Sequence, residues 1–327
     1  MKPSTVRRTL LLAGGATVLT LLVQRAGTAS IRQYLTNLGL AFTVPIALVG
    51  LQHCLRSLSW HAAVRATGHP LPYSHILRAR LGAETLGYLS LTGALGSQTS
   101  KVWLLREGVP MSTGAASVIV DALASGIAGV LFSGAALLVS QWALALPAWT
   151  AAVGGGLVAL AAASWTLATL WSGQRRRLDP DGVLTAPPAT DWRAAARDAL
   201  RRMGAGLVRL RGLPFARMIL LHTLGHLALV AATRSILSML GISRALSVGI
   251  VFEVGAKLGN VMGVLIPARL GLFEAGVAAS ADLLRLGSAA GLAVAFVRRI
   301  VDLAWVGAGL VILTTGPLRQ PSVANEE

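Results

Sequence analysis

Apolar runs long enough to cross a lipid bilayer recur along this sequence, and they restrict the fold more than any other feature. A membrane-spanning helix needs about 20 apolar residues, each adding about 1.5 Å of length. The seven candidates are Thr9–Gln24, Gln33–Leu55, Ser112–Gln141, Ala148–Trp171, Met218–Leu240, Ala245–Ile266 and Leu286–Thr315. Only 13% of the residues are charged, far fewer than a soluble protein of this length exposes. The sequence therefore predicts an all-α, polytopic integral membrane protein with about seven or eight transmembrane helices.

Two further apolar stretches are interrupted and rich in glycine and alanine. They are Leu81–Ser100 and Ala268–Leu284. Irregular backbone inside a membrane is tolerated only where protein or a water-filled cavity surrounds it. We predict a re-entrant or broken helix in each stretch.

The positive charge of the chain is concentrated between the apolar runs. The net charge of +16 would suit a nucleic-acid-binding protein, but ten arginines fall within residues 173–217. This distribution is typical of cytoplasmic loops that meet anionic headgroups, so we expect membrane lipids and no nucleic acid as partners. Together with Lys2, Arg7 and Arg8, it predicts a cytoplasmic N-terminus. We expect a multi-pass protein of a bacterial-type inner (cell) membrane. A cleaved signal peptide at Thr9–Gln24 is the alternative to an uncleaved first helix, which we favour.

The basic segment 173–217 divides a single membrane domain, residues 1–327, into a first half (1–172) and a second half (218–316), followed by a tail (317–327). Within this segment, Asp191–Arg211 has a helical pattern and one basic side. It predicts either a helix on the inner leaflet or a solvated linker.

The two halves share a short pattern of small residues. Leu91–Gly96 follows Glu84, and Ile266–Gly271 follows Glu253. Repeated halves with interrupted helices are typical of transporters whose site lies at the repeat interface. We predict a possible pseudo-repeat, and chance similarity in a sequence rich in Gly, Ala and Leu is the alternative.

Several charged residues lie inside apolar segments, where each costs about 2.5–3.5 kcal/mol unless it faces a protein interior and has a partner. Glu253 and Lys257 are four residues apart, which predicts a helical ion pair. Asp302 can neutralise only one of Arg298 and Arg299. The other arginine would then be available for a phosphate or carboxylate headgroup, unless all these charges are struts between helices.

Motifs for enzymatic chemistry are not recognisable in the sequence. His222 and His226 are four residues apart but have no third ligand nearby, so packing or hydrogen bonding between helices is the better interpretation. The single cysteine, Cys54, rules out an internal disulfide bond. We expect no enzymatic activity, no cofactor and no metal site.

Two segments of the sequence resemble a known family. The first is Glu84–Lys101, followed by Arg106–Pro110 and by Ala116–Val120 just before Asp121. The second is Ile266–Gly276, with Arg298 and Arg299 further on. They are similar to the membrane region of lysylphosphatidylglycerol synthase, the flippase-like family, and closest to its shorter, hopanoid-biosynthesis-associated members.

The first motif departs from the family's pattern, whereas the second follows it. Thr92 stands where the family typically has a proline, Ser97 and Gln98 replace a Gly-Glu pair, and Lys101 replaces an arginine. The second motif retains the family's residues Pro267, Gly271, Glu274 and Gly276. The sequence ends at Glu327 without the aminoacyl-transfer domain of full-length synthases, so the resemblance implies lipid handling without the synthase reaction.

The combined prediction is a membrane-embedded, flippase-like transporter of an amphiphilic lipid with an anionic or hopanoid-type head. Its expected substrate-binding residues are Arg298, Arg299, Arg269, Lys101, Glu274, Glu253, Glu84, Pro267 and Gly271. The alternatives are an intramembrane lipid or sugar transferase and a non-transporting scaffold that holds lipid-synthesis enzymes together. The sequence leaves the oligomeric state open.

Overall fold

A computed structural model describes residues 39–90, 93–174, 192–243, 245–262 and 271–315, and the fold described below refers to these residues. They form a 3₁₀ turn at Gly39–Phe42 and ten α-helices, and no β-strand occurs among them. The helices are α1 (Thr43–Ala66), α2 (Tyr73–Leu89), α3 (Gly93–Leu105), α4 (Met111–Leu144), α5 (Trp149–Gln174), α6 (Trp192–Arg209), α7 (Leu213–Met239), α8 (Leu246–Met262), α9 (Leu272–Leu283) and α10 (Ser288–Thr315). The all-α prediction is confirmed.

Three of the described helices are clearly long and apolar enough to cross a membrane: Met111–Leu144, Trp149–Leu170 and Leu213–Met239. The first two match the predicted spans 112–141 and 148–171 closely, and α7 begins five residues before the predicted span 218–240. Helix α5 exposes Leu167 and Leu170 by about two-thirds, as a lipid-facing helix would. The predicted total of seven or eight spans stays a prediction.

The helix that contains most of the predicted span Gln33–Leu55 continues beyond it, and the span itself stays a prediction. Helix α1 runs to Ala66, well past Arg56. Hydropathy falls after Leu55, but Ser57 and Ser59 are completely buried by neighbouring helices, so the polar residues do not end the helix. Thr9–Gln24 lies outside the described residues.

The described helices form two units with the same order, in which a long helix is followed by two short helices and another long helix. The first unit is α1–α4 and the second is α7–α10. Helices α1 and α7 pack antiparallel, because Ser59 contacts His222 while Val49 packs with Leu229 and Ala232. The second unit is therefore inverted relative to the first, which supports the predicted pseudo-repeat and makes it an inverted one.

The neighbours of each unit also correspond. Helix α2 packs antiparallel on α10, where Thr85 Oγ1 donates a hydrogen bond to the Val306 carbonyl. In the matching position α8 packs on α4, where Val254 shares an apolar cluster with Phe132 and Ala136. The first short helix of each unit thus packs on the last long helix of the other unit.

The short helices form two hairpins. In the first, α2 returns as α3, and a Cβ on Gly87 would lie 2.7 Å from the Ser97 backbone nitrogen. In the second, α8 returns as α9 with glycines Gly255, Gly259 and Gly276 at the contact. Because α1 and α7 run in opposite directions, the hairpins that follow them enter from opposite ends of the molecule.

The interruption predicted in Leu81–Ser100 is confirmed, since α2 ends at Leu89 and α3 begins at Gly93. The interruption predicted within Ala268–Leu284 is wrong for the described part of that stretch, because Leu272–Leu283 is one continuous helix. The second hairpin begins earlier in the sequence. Its first arm is α8, within the stretch interpreted as a complete span, Ala245–Ile266, and its second arm is α9. The glycines that let α8 and α9 touch are spread over both stretches, so hydropathy alone does not group them.

Residues 173–217 are not a simple loop. They include the end of α5, the helix α6 and the start of α7. The helix predicted within Asp191–Arg211 is confirmed, and it packs on α4 with Ala205 and Leu207 buried. Arg202 is 2% exposed and pairs with Asp198 at 2.8 Å. A solvated linker is therefore the wrong interpretation for α6, whereas its contact with the inner leaflet stays a prediction.

Candidate functional site

A buried ionic cluster lies where α1, α2, α4 and α7 meet, and we call it the Asp121 cluster. It consists of Ser59, Arg80, Asp121 and His222, none of them more than 3% exposed. Ser59 Oγ donates to Asp121 Oδ1 at 2.8 Å, and His222 Nε2 lies 2.9 Å from the same oxygen. Arg80 Nη1 lies 3.6 Å from Asp121 Oδ2. The partners of Asp121 thus all lie on other helices.

The first hairpin extends this cluster with two of the predicted site residues. Arg80 lies 3.4 Å from Glu84, four residues later on the same helix. Lys101 on α3 is 3.9 Å from Glu84 and donates to Gln98 at 3.2 Å. Lys101 is 2% exposed, whereas the Glu84 side chain is 32% exposed. Glu84 is therefore the least buried of the charged residues in this extended cluster.

A second cluster joins α7, α8 and α10, and we call it the Glu253 cluster. Arg298 Nη1 donates to Thr233 Oγ1 at 2.6 Å and to Glu253 Oε2 at 3.1 Å. All three residues are at most 8% exposed. The cluster therefore fixes α10 against α7 and α8 with a charge-assisted hydrogen bond.

The other arginine of α10 connects the two hairpins. Arg299 Nε donates to Glu274 on α9 at 2.7 Å, and Arg299 Nη1 lies 3.3 Å from the Tyr88 hydroxyl on α2. Glu274 also accepts a hydrogen bond from the Gly271 backbone N–H, at the start of α9, at 2.7 Å. Gly271 has a φ of +84°, which only glycine adopts easily, and this allows the chain to enter α9 at that angle.

Two predicted pairings are corrected by these contacts. Glu253 does not pair with Lys257, because Arg298 and Thr233 occupy its carboxylate. Arg298 and Arg299 each have a carboxylate on another helix, so the neutralisation of one arginine by Asp302 alone is wrong. Each of these two arginines pairs with a carboxylate on another helix and not with one on its own helix. This is possible because three helices pack together around each arginine.

A third polar contact lies between the two clusters. Lys257 Nζ donates to His226 Nε2 at 2.8 Å and lies 5.1 Å from the centre of the Phe132 ring. His222 and His226 thus have separate partners, which confirms hydrogen bonding between helices. No group of three His, Cys, Asp or Glu side chains in the described parts of the chain is placed to hold a metal ion.

The structure brings the predicted site residues together in two places. Glu84 and Lys101 meet at the first hairpin, and Glu274, Arg299 and Gly271 meet at the second. Glu253 and Arg298 form a separate pair. Pro267 and Arg269 lie outside the described residues.

Several residues of the polar interior escaped prediction. Arg80 has a sequence signal, since it precedes Glu84 by four residues. Arg56 and Tyr88 have none, because their contacts depend on helix packing; Tyr88, for example, meets Arg299, 211 positions away.

An apolar groove of about 260 Å³ lies on the outer side of α4, α5 and α7. Its wall includes Ile127, Leu131, Val158, Trp165 and Ile219. Such a surface accepts hydrocarbon and offers little to a polar group. Its wall residue Ile219 lies about one helical turn before His222 of the Asp121 cluster on α7.

Comparison with known proteins gives one match. Residues 9–309 match the model of a family described as the lysylphosphatidylglycerol synthase TM region. No curated protein and no solved structure matches the chain. The match includes both hairpins and both ionic clusters, and it connects the chain with membrane lipids. This protein belongs to the family of the lysylphosphatidylglycerol synthase transmembrane region.

Proposed function

We propose that this protein moves an amphiphilic lipid across the membrane. The observation that carries the proposal is the meeting of two hairpins, entering from opposite ends, around Arg299. Tyr88 of the first hairpin and Glu274 of the second both contact this guanidinium. Inverted repeats with interrupted helices near the middle of the bilayer are the architecture of alternating-access transporters.

A polar headgroup could cross the membrane along the polar interior of the protein, whereas the hydrocarbon core of the bilayer excludes it. Glu84 and Glu274 are 32% and 25% exposed, so both hairpins present a carboxylate to an opening. The acyl chains would remain in the bilayer and along the apolar groove of α4, α5 and α7. We expect the head to be anionic or of the hopanoid type, the second on sequence resemblance alone.

The remaining expectations belong to the same proposal. The protein would lie in a bacterial-type inner membrane with its N-terminus and α6 in the cytoplasm, and it would have no enzymatic activity. The exposed arginines Arg193, Arg197 and Arg201 of α6 support this orientation, since positive charge is retained on the cytoplasmic side. Lipid-synthesis enzymes are possible partners.

The test is headgroup translocation in vesicles that contain the full-length protein. Lipids with a fluorescent acyl chain and an anionic, zwitterionic or hopanoid-type head would be quenched from outside by a membrane-impermeant reductant. The protein should expose the inner-leaflet pool of at least one class several-fold faster than empty vesicles. Equal rates with and without protein for every class would contradict the proposal.

The scaffold alternative predicts a different residue dependence. Because α6 packs on α4, deleting residues 175–211 would disturb the fold as well as any tether. Replacing Arg193, Arg197 and Arg201 by glutamine changes only the exposed face. A transporter should keep most of its translocation rate after this change, whereas a scaffold should lose its partner enzymes.

A further inference from the structure

Arg56 is the arginine of the buried network that has no carboxylate partner. Its neighbours Arg80, Arg298 and Arg299 each lie within 4.0 Å of a carboxylate oxygen, but within the described ranges Arg56 does not. Its Nε is buried and has no hydrogen-bond partner there. Asp121, Glu84 and Glu253 act on Arg56 from a longer distance, and each of them holds another cation more closely.

Lys257 has the same deficiency. Its ammonium group contacts His226 and the face of Phe132, and it has no carboxylate within 4.0 Å in the described segments. Glu253, one helical turn earlier, is occupied by Arg298. For both cations, the acids that lie within electrostatic reach already form closer ion pairs with other basic residues.

The two cations approach consecutive residues of α7, Arg56 from α1 and Lys257 from α8. A Cβ on Gly225 would lie 3.7 Å from Arg56 Cγ and 3.9 Å from Arg56 Nε. The next residue, His226, receives the hydrogen bond from Lys257. Arg56 is close enough to act electrostatically on both His226 and Lys257.

Glycines lie against both charges. Gly225 has no side chain towards Arg56, and a Cβ on Gly129 would lie 3.5 Å from Lys257 Nζ and 3.8 Å from His226 Nε2. Arg56 and Gly225 each lie near the middle of their helices, α1 and α7. Two like charges held together in a non-polar region repel each other and are costly without an anion.

We infer that Arg56 and Lys257 form the binding site for the anionic group, a phosphate or a carboxylate, of the ligand that passes through the molecule. The guanidinium offers two parallel donors to such a group, and the ammonium adds a point charge. This assignment rests on the proposed function for the identity of the ligand as a lipid, but the anion site itself does not depend on transport. In this assignment Arg56 and Lys257 bind the anionic group in place of Arg298 and Arg299, because those two arginines already form ion pairs with Glu253 and Glu274.

The experiment measures the thermal unfolding midpoint of the purified full-length protein in detergent. Phosphatidylglycerol, phosphatidylcholine and inorganic phosphate would be titrated separately into the wild type, Arg56→Gln, Arg56→Lys, Lys257→Gln and Arg65→Gln. Phosphatidylglycerol should raise the wild-type midpoint more than phosphatidylcholine does. The phosphatidylglycerol concentration that gives half of the maximal shift should rise at least tenfold in Arg56→Gln and Lys257→Gln. In Arg56→Lys it should rise several-fold.

The exposed Arg65, on the same helix, is the matched control, and its variant should respond as the wild type does. Without lipid, Arg56→Gln should be at least as stable as the wild type, because it removes a buried charge that has no partner. A lower midpoint with an unchanged response to phosphatidylglycerol would overturn the inference and make Arg56 a structural residue. An equal shift with inorganic phosphate would support the anion site but assign it to a soluble ligand.

The outcome for the anion site can be distinguished from the outcome for the proposed function. If the lipid shift depends on Arg56 but no translocation occurs in vesicles, the anion site is supported and the transporter function is contradicted. If translocation persists unchanged in Arg56→Gln and Lys257→Gln, the transporter function is supported and the anion site is contradicted.

Discussion

Buried charges in this protein are arranged so that acids on one helix hold bases on another. Glu253 on α8 holds Arg298 on α10, and Glu274 on α9 holds Arg299. Breaking such a pair leaves an uncompensated charge inside the molecule, which costs more than removing both partners. The energetic coupling between two residues therefore reveals which of them are partners.

A double-mutant cycle distinguishes the observed partner of Glu253 from the one that helical spacing predicts. Glu253→Gln should destabilise the protein by about 3–5 kcal/mol, because Arg298 loses its carboxylate. Combination with Arg298→Met should recover part of this loss, with a coupling energy of about 0.5–3 kcal/mol. Combination with Lys257→Met should give a smaller coupling, because Glu253 acts on Lys257 only from a longer distance. The free energy of unfolding in mixed detergent micelles is the measurement, and a larger coupling to Lys257 would contradict the structure.

At the scale of helices, small residues decide which elements can form a hairpin. In α8 and α9, Gly255, Gly259 and Gly276 allow the two backbones to touch, and a Cβ on any of them would meet backbone atoms of the other helix. Close backbone approach favours helix association in lipid, where apolar burial alone gives no preference for protein over acyl chains. The three glycines therefore stabilise the hairpin because they have no side chain to keep the two backbones apart.

The hairpin contact predicts opposite effects for the same substitution at two glycines. Gly255→Ala should destabilise the protein by about 1–3 kcal/mol, because the new methyl group would meet the Gly276 carbonyl. Gly156→Ala on α5 has nothing within 4 Å and should be neutral or stabilising by up to about 1 kcal/mol, since alanine favours a helix. Both are measured as changes in unfolding free energy. Equal effects at the two positions would argue against the α8–α9 contact.

At the scale of the whole molecule, the two units are related by an inversion that places their hairpins at opposite ends. The turn between α3 and α4 contains the exposed Glu107, whereas α10 begins at the exposed Ser288. Arg197, on the exposed face of α6, belongs to the same end as Glu107. These assignments follow from the antiparallel packing of α1 on α7.

Single cysteines at these positions test the inversion. In a Cys54→Ser background, Glu107→Cys and Arg197→Cys should be labelled by a membrane-impermeant maleimide from the same side of sealed vesicles. Ser288→Cys should be labelled only from the other side. The orientation of the vesicles, established with a soluble marker protein, then reports which side is cytoplasmic. Labelling of positions 107 and 288 from one side would contradict the inverted arrangement.

The sequence by itself determined the class of fold and the existence of the interrupted helices. Apolar runs of about 20 residues require helices in lipid, because the backbone has no other way to satisfy its hydrogen bonds. The break between Leu89 and Gly93 was predictable for the same reason, since Gly and Ala interrupt the apolar pattern there. The amphipathic pattern of α6 was visible as well, because it depends only on neighbours along one helix.

Tertiary structure alone decided the partners of the buried charges. Spacing along a helix favoured Glu253 with Lys257 and Asp302 with Arg298 or Arg299, but the packed helices pair Glu253 with Arg298 and Glu274 with Arg299. Arg56 shows the limit most clearly, because its residue type and position look like the end of a span. Only the packing of α1 on α7 shows that it lies in the interior without a carboxylate, beside a lysine in the same condition. A sequence lists which charges a membrane protein must neutralise, and the three-dimensional arrangement of its helices determines which of them remain for a ligand.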